Sequence, residues 1–465
     1  MEFNFDVIII GSGPGGYVAG IRASQLGLRT AVVEKAELGG VCLNWGCIPT
    51  KALLKSAQVF QYMTHSADYG IQLEGTAKPD FQAIISRSRN VAAGMSNGIQ
   101  YLFKKNKVTH LKGFGKALPG NRVEVTAEDG TVTIYSAPHI ILATGARSRE
   151  LPGLRQDGKF IIGYREAMTL EKQPKSMIVV GSGAIGSEFA HFYNAIGTEV
   201  TLVEFMPNIV PIEDEEVSKQ LERSFKKAGI KVMTEASVEK VDTSTEKCIA
   251  TVKTKKGEVI LEADIVLSAV GISTHLEGIG LEETGIKTSN GKIVVDEFYR
   301  TSVEGYYAIG DIVPGPALAH VASHEAIICV EQIAGHHPLP LNYGNIPGCT
   351  YTQPEVASVG MTEKAAREAG YGIKIGKFPY TASGKASAAG NKEGFIKVIV
   401  DEKYGEILGV HMIGDNVTEM IAEAVLARKL ESTGREIIDA VHPHPTMSEA
   451  LMEAMAAAYG EVVHI

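Results

Sequence analysis

Two cysteines, Cys42 and Cys47, and two histidines near the C-terminus, His442 and His444, are the side chains best placed by type and spacing to do covalent chemistry. The cysteines stand five apart in Gly40-Val41-Cys42-Leu43-Asn44-Trp45-Gly46-Cys47-Ile48-Pro49-Thr50-Lys51. Structural zinc sites use gaps of about two to four residues and a second pair of ligands. Cys248, Cys329 and Cys349 are isolated and form no second pair, so no metal is expected. Pro49 and the run after it read as the opening turn of a helix. That puts Cys47 at a helix N-terminus, where the dipole favours a thiolate, with the Lys51 cation one turn on. On the pair alone, two inert buried thiols remain an alternative. In His442-Pro443-His444-Pro445-Thr446-Met447-Ser448-Glu449, prolines fix the backbone around two imidazoles and a carboxylate follows. An imidazole that moves protons needs an acceptor on its other nitrogen. Alone, the run also suits a rigid surface loop. Beside a dithiol, whose exchange requires a deprotonated thiol, it reads as a base with its orienting acid.

The elements that must position these groups come in duplicate. The turn Gly11-Ser12-Gly13-Pro14-Gly15-Gly16 follows the apolar run Val7 to Ile10 and precedes Ala31-Val32-Val33-Glu34. A second, Gly181-Ser182-Gly183-Ala184-Ile185-Gly186, follows Met177 to Val180 and precedes Val200 to Glu204. Strand, glycine turn, helix, strand and acid are the parts of a dinucleotide site: backbone and helix N-terminus meet a pyrophosphate, and the carboxylate meets a ribose hydroxyl. In both copies the acid falls 18 residues after the last glycine. Each copy is followed later by an apolar run closing on glycine, at Gly145 and at Gly271, and a third such run ends in Gly310-Asp311. Two dinucleotides on one chain, with a dithiol beside the first, point to electron transfer between a cofactor ring and sulfur. Glu204 would repel a 2′-phosphate, and Phe205-Met206-Pro207-Asn208 offers no arginine to hold one, so the second site is expected to prefer NAD to NADP.

The whole chain bounds the rest. At 465 residues it should hold about three domains of roughly 150 residues. Its 45% apolar and 21% charged content is that of an ordinary globular protein. A net charge of −9 without dense Lys/Arg runs argues against nucleic acid. No apolar stretch reaches the roughly 18 residues that span a bilayer, and the first strand, near Phe5, leaves no room for a signal peptide. Five cysteines do not make a disulfide scaffold, and a reducing compartment is expected. From about Gly344 the sequence changes to short β-rich runs, such as Phe395 to Val400, and amphipathic helices near Thr418 to Lys429 and Ser448 to Tyr459. That pattern suggests an α+β module.

With two dinucleotide turns, the six-residue dithiol motif and the His-Pro cluster in that order, the chain resembles the pyridine nucleotide–disulfide oxidoreductases over essentially its whole length. The resemblance implies an α/β fold with two Rossmann-like dinucleotide-binding domains, for FAD and NAD, plus a C-terminal α+β dimerisation domain. The expected division is 1–150 for FAD, 151–272 for NAD, 273–343 completing the FAD domain, and 344–465 for dimerisation. FAD would contact Gly11, Gly13, Pro14, Gly15, Gly16, Glu34, Gly40, Val41, Cys42, Lys51, Gly115, Thr144, Gly145, Asp311, Ala317, Leu318, Ala319 and His320. NAD would contact Gly181, Gly183, Ala184, Ile185, Gly186, Glu204, Val238 and Gly271. Cys47 would be the sulfur nearest the flavin and Cys42 the one that meets substrate. Lys51, paired with Glu188, would lie beside the flavin. His444, oriented by Glu449, would serve the dithiol of the other subunit of a homodimer. The implied reaction is oxidation of protein-bound dihydrolipoamide to lipoamide through a Cys42–Cys47 disulfide, with NAD+ reduced. Partners would be lipoyl domains of E2 acyltransferases or the glycine cleavage H protein, in the cytoplasm, with no nucleic acid or membrane. The alternatives are a glutathione-type reductase, disfavoured by Glu204, and a silent flavoprotein assembly subunit, which would have no use for Cys42, Cys47, Lys51, His444 and Glu449 together.

Overall fold

The structure, a computed structural model, describes residues 3–244 and 246–465. The chain divides into two compact units. The first takes residues 1–53, 82–149 and 271–341, and the second takes 54–81, 150–270 and 342–465.

In the first unit five parallel strands lie in the order Tyr306–Ala308, His139–Leu142, Val7–Ile10, Thr30–Glu34, Thr109–Lys112. A parallel sheet covered on both faces needs continuous rather than alternating apolar runs. Val7, Ile8, Ile9 and Ile10 supply one, and all four are buried. Each such side chain contributes roughly 1.5–3 kcal/mol on leaving water, which fixes the strand that leads into the first glycine turn. The helix Pro14–Gln25 starts within that turn, capped by Gly13 and with Pro14 as its first residue. A three-stranded antiparallel sheet, Phe114–Leu118, Arg122–Thr126 and Val132–Ser136, is inserted in the chain between the parallel strands Thr109–Lys112 and His139–Leu142.

The second unit repeats the scheme. Its parallel order is Lys231–Met233, Glu199–Val203, Ser176–Val180, Ile265–Ser268, Ile161–Ile162, with the helix Ala184–Ala195 after the second glycine turn. It too carries a three-stranded antiparallel insert, Ser237–Asp242, Cys248–Thr254 and Gly257–Ala263. The same unit holds the C-terminal module, an antiparallel sheet in the order Gly348–Thr350, Glu355–Gly360, Ile407–Gly414, Phe395–Asp401, Ile373–Pro379. Ile396, Val398 and Val400 turn one face into an apolar core with the helices Val417–Lys429 and Glu449–Ala458. Alternation along the strand sends Lys397 and Ile399 to the opposite face. The expected pair of dinucleotide folds and the α+β module are both present. The two three-stranded inserts were not foreseen from the sequence. No described helix is long and apolar enough to cross a membrane.

Candidate active site

Gly40–Trp45 forms a short helix, Gly46 breaks it, and Cys47–Thr64 forms the next, so Cys47 is the first residue of an 18-residue helix. The break folds the two cysteines together: Cys42 Sγ and Cys47 Sγ lie 2.6 Å apart. Cys47 is exposed and Cys42 half-buried. The contact with Cys47, then burial, pushes the Cys42 thiol well up from its ordinary range, with Lys51 pulling the other way. A thiol held protonated in this way requires a base before it can act as a nucleophile. Lys51 is half-buried one turn along the same helix. The dithiol turn is braced from the helix Phe81–Lys105: Ser88 Oγ donates to the Pro49 carbonyl, Arg87 to the Ala52 carbonyl, and the Arg89 guanidinium lies 4.0 Å over the Trp45 ring.

Around the first turn, Gly11 adopts φ +104°, and a Cβ on Gly16 would fall 1.9 Å from the Gly11 carbonyl oxygen. Over Gly13, at the helix N-cap, a Cβ would meet nothing within 4 Å. Helix and strand are therefore locked tightly while the turn's outer side stays open. That geometry fits a pyrophosphate against the helix N-terminus. Glu34 ends the second strand. Its Oε2 accepts from Ser12 N at 3.0 Å and Ser12 Oγ at 2.7 Å, and its Oε1 from Ala36 N at 2.9 Å. Oε2 is filled by its two donors, and Oε1, with one, keeps a lone pair for a ribose hydroxyl. Gly40 lies against this turn, where a Cβ would fall 2.6 Å from Gly13 Cα, with Val41 next in the chain. Thr144 and Gly145 are half-buried after the strand His139–Leu142; Thr144 Oγ1 donates to the His275 carbonyl at 2.6 Å. Gly115 is buried against Ile10 and Val33. Asp311 is half-buried in the turn Gly310–Ile312, and burial raises its carboxyl against the opposing charge of Lys292. Ala317, Leu318, Ala319 and His320 lead into the helix Ala319–Ile333 with Ala317 and His320 exposed.

The second turn has the same build. Gly181 is at φ +95°, a Cβ on Gly186 would lie 1.9 Å from the Gly181 oxygen, and one on Gly183 would again meet nothing. Ala184 and Ile185 are exposed at the start of the helix. Glu204 is buried and accepts from Ser182 N at 2.8 Å, Ser182 Oγ at 2.6 Å and Met206 N at 2.7 Å. Val238 is half-buried on the antiparallel insert and Gly271 is exposed. Glu188, buried in the same helix as the turn, accepts from Tyr351 N at 3.1 Å.

The two histidines of the C-terminal cluster differ. His442 is committed at both nitrogens, Nδ1 to the Ala440 carbonyl at 2.9 Å and Nε2 to Glu423 at 2.8 Å. His444 donates through Nδ1 to Glu449 Oε1 at 2.8 Å and is 78% exposed, leaving Nε2 outward. Burial would raise the Glu449 carboxyl. The Thr446 N–H at 2.7 Å and the His444 ring outweigh it and hold the group below its ordinary value. Glu449 thus stays a carboxylate and fixes the His444 tautomer.

Residues 5–326 match the model of the pyridine nucleotide-disulphide oxidoreductases, and residues 346–455 match the dimerisation domain of the same family. The chain belongs to the pyridine nucleotide-disulphide oxidoreductases. It is therefore an oxidoreductase, a homodimer, and a user of FAD and NAD. Among relatives of this oxidoreductase, dihydrolipoyl dehydrogenase of Rhizobium etli is 48% identical over all of both chains. That of Bacillus subtilis is 44% identical, also over all of both. The mitochondrial dihydrolipoyl dehydrogenase 1 of Arabidopsis thaliana is 45% identical over 99% of this chain and 91% of its own. The crystal structure of LpdA from Mycobacterium tuberculosis superposes with a TM-score of 0.90 at 26% identity, covering 97% of this chain and 98% of that one.

Reading the sequence of this family member missed Ser12 and Ser182, which hold the two acids in place. The signal was there: the same serine occupies the second position of both glycine turns. The brace of Ser88, Arg87 and Arg89 on the dithiol turn carried no sequence signal, because it joins segments some 40 residues apart.

Proposed function

We propose that the chain is a dihydrolipoyl dehydrogenase, oxidising protein-bound dihydrolipoamide to lipoamide and reducing NAD+. The observation that carries this reading is the Cys42–Cys47 pair, its sulfurs 2.6 Å apart at the foot of a helix beside a dinucleotide turn. His444 of the partner subunit takes a proton from one substrate thiol through Nε2, while Glu449 holds its other nitrogen. The substrate thiolate attacks the Cys42 sulfur of a Cys42–Cys47 disulfide, and Cys47 leaves as a thiolate. The second substrate thiol attacks the mixed disulfide, forms the ring disulfide of lipoamide and releases Cys42, so two electrons and two protons pass to the enzyme. The raised Cys42 thiol and exposed Cys47 suit these roles: Cys42 keeps a proton that a base must manage, and Cys47, being exposed, would be the sulfur open to bound FAD. Lys51, one turn on from Cys47 in the same helix, would supply a cation to the bound flavin. FAD, when bound by the first turn, Glu34 and the Asp311 segment, supplies the two-electron chemistry that reoxidises the dithiol and reduces NAD+.

Residues 1–150 and 273–343 then form the FAD domain, 151–272 the NAD domain and 344–465 the dimerisation domain. The lipoyl domains of E2 acyltransferases, or the glycine cleavage H protein, are the proposed macromolecular substrates, in the cytoplasm. A dithiol cycling against NAD suits such a reducing compartment. Steady-state assay of the holoenzyme tests the reading. Dihydrolipoamide with NAD+ should turn over at least about tenfold more efficiently than with NADP+, because Glu204 repels a 2′-phosphate. Preferential reduction of glutathione disulfide with NADPH would place the chain among the glutathione-type enzymes instead.

A further inference from the structure

A polar row crosses the face of the C-terminal sheet opposite its apolar core. Lys377, Lys397, His411 and Ser358 are register neighbours on four adjacent strands and share one side. Lys397 and His411 are each 1% exposed. Opposite the row stands the start of the helix Glu215–Lys227, which belongs to the second dinucleotide fold. Lys397 Nζ lies 3.0 and 3.2 Å from the two oxygens of Asp214, 2.9 Å from Glu216 and 2.8 Å from Glu363. An ammonium has three protons, and here each has a carboxylate. Asp214 is itself buried and caps the helix, accepting from Glu216 N at 3.1 Å. Lys377 reaches the other oxygen of Glu216 at 2.5 Å.

The other end of the segment leading into that helix is Glu204. Residues 205–213 run from the ribose acid to the cap, and Val210 N donates to the Ser182 carbonyl at 3.1 Å, in the glycine turn itself. Ile209 and Val210 are buried and hold the middle of the segment, whereas Phe205, Met206 and Ile212 are exposed, so its setting depends on that small apolar anchor together with the ties at Glu204 and Asp214. We infer that Lys397 is a positioning residue for the nucleotide half-site: by anchoring Asp214 it fixes the 205–213 connection and with it the setting of Glu204 and the second glycine turn. A cation of the dimerisation module thereby tunes NAD affinity. The inference rests on the reading of the second turn as the NAD site.

The test uses the flavin-loaded dimer and ADP-ribose, a redox-silent probe, titrated calorimetrically, with hydrogen–deuterium exchange followed over residues 205–214. Lys397→Met alone leaves a buried carboxylate unmatched and risks misfolding. The double variant Lys397→Met/Asp214→Asn removes both charges and keeps a helix-capping side chain. In the double variant ADP-ribose should bind about tenfold or more weakly, exchange in 205–214 should quicken, and KM for NAD+ should rise with kcat at saturation and KM for dihydrolipoamide retained, the pattern of lost uniform binding. Unchanged ADP-ribose affinity with unchanged exchange in a folded double variant overturns the inference, as does an equal fall in all kinetic constants, which marks a merely structural role. Failure of the unaltered enzyme to bind ADP-ribose would instead overturn the reading of the second turn.

Discussion

At the scale of single residues, the chemistry depends on how each polar group is paired. His442 and His444 lie two apart and each is followed by a proline, yet only His444 keeps a ring nitrogen outward, because Glu423 takes the other candidate. That distinction is invisible in the sequence: Glu449 is a local partner, five residues away, but Glu423 arrives from another helix. The Cys42–Cys47 contact was legible because a short helix and a glycine break close it within six residues. A different residue gives a pH prediction. Burial, reinforced by the Asp214 charge and opposed by the Ser358 hydroxyl, pushes the Glu213 carboxyl up to about 7. Folded Glu213 keeps its proton to about that pH, whereas the unfolded chain releases it near 4.5. The neutral buried acid therefore costs nothing below pH 4.5, and stability falls as pH rises from there through about 7. Glu213→Gln should remove that loss: no gain at pH 4, and on the order of 3 kcal/mol at pH 8 by denaturant unfolding. An equal effect at both pH values would contradict the buried, protonated state.

At the scale of elements, the two glycine turns were the clearest signals, because each packs backbone on backbone. A Cβ at Gly16 or Gly186 would land 1.9 Å from a carbonyl oxygen, so the pattern is forced on the sequence by geometry. The buried strands were legible for a related reason: only continuous apolar runs serve a sheet covered on both faces. Less was visible where elements meet across long separations. Lys397 reads as an ordinary exposed lysine in an alternating strand, yet the side it faces is closed by Asp214, 183 residues earlier. Breaking such a pair by removing one partner costs about 3–5 kcal/mol, since a buried charge is left alone. The Arg89–Trp45 stack is equally nonlocal, although the single tryptophan between the two cysteines was conspicuous in the sequence.

At the scale of the whole molecule, the homodimer decides how the site is completed. If His444 serves the dithiol of the partner subunit, two inactive variants should rescue one another. In a heterodimer of Cys42→Ser and His444→Gln subunits, one site combines an intact dithiol with an intact histidine. After unfolding, equal mixing and refolding with FAD, activity should return to about a quarter of the unaltered enzyme, from random pairing in a two-fold dimer. No return in a mixture shown by mass to contain heterodimers would place His444 within its own chain's site. The central claim, a sulfur–sulfur bond made and broken between Cys42 and Cys47, has a more direct test. Oxidised holoenzyme is treated without air with one equivalent of dihydrolipoamide, then with NAD+, and alkylated thiols are mapped by mass spectrometry at each stage. The account predicts that Cys42 and Cys47 become alkylatable with the substrate and protected again with NAD+, while Cys248, Cys329 and Cys349 do not change. Labelling of Cys42 and Cys47 that is the same before substrate, after it and after NAD+ would contradict it.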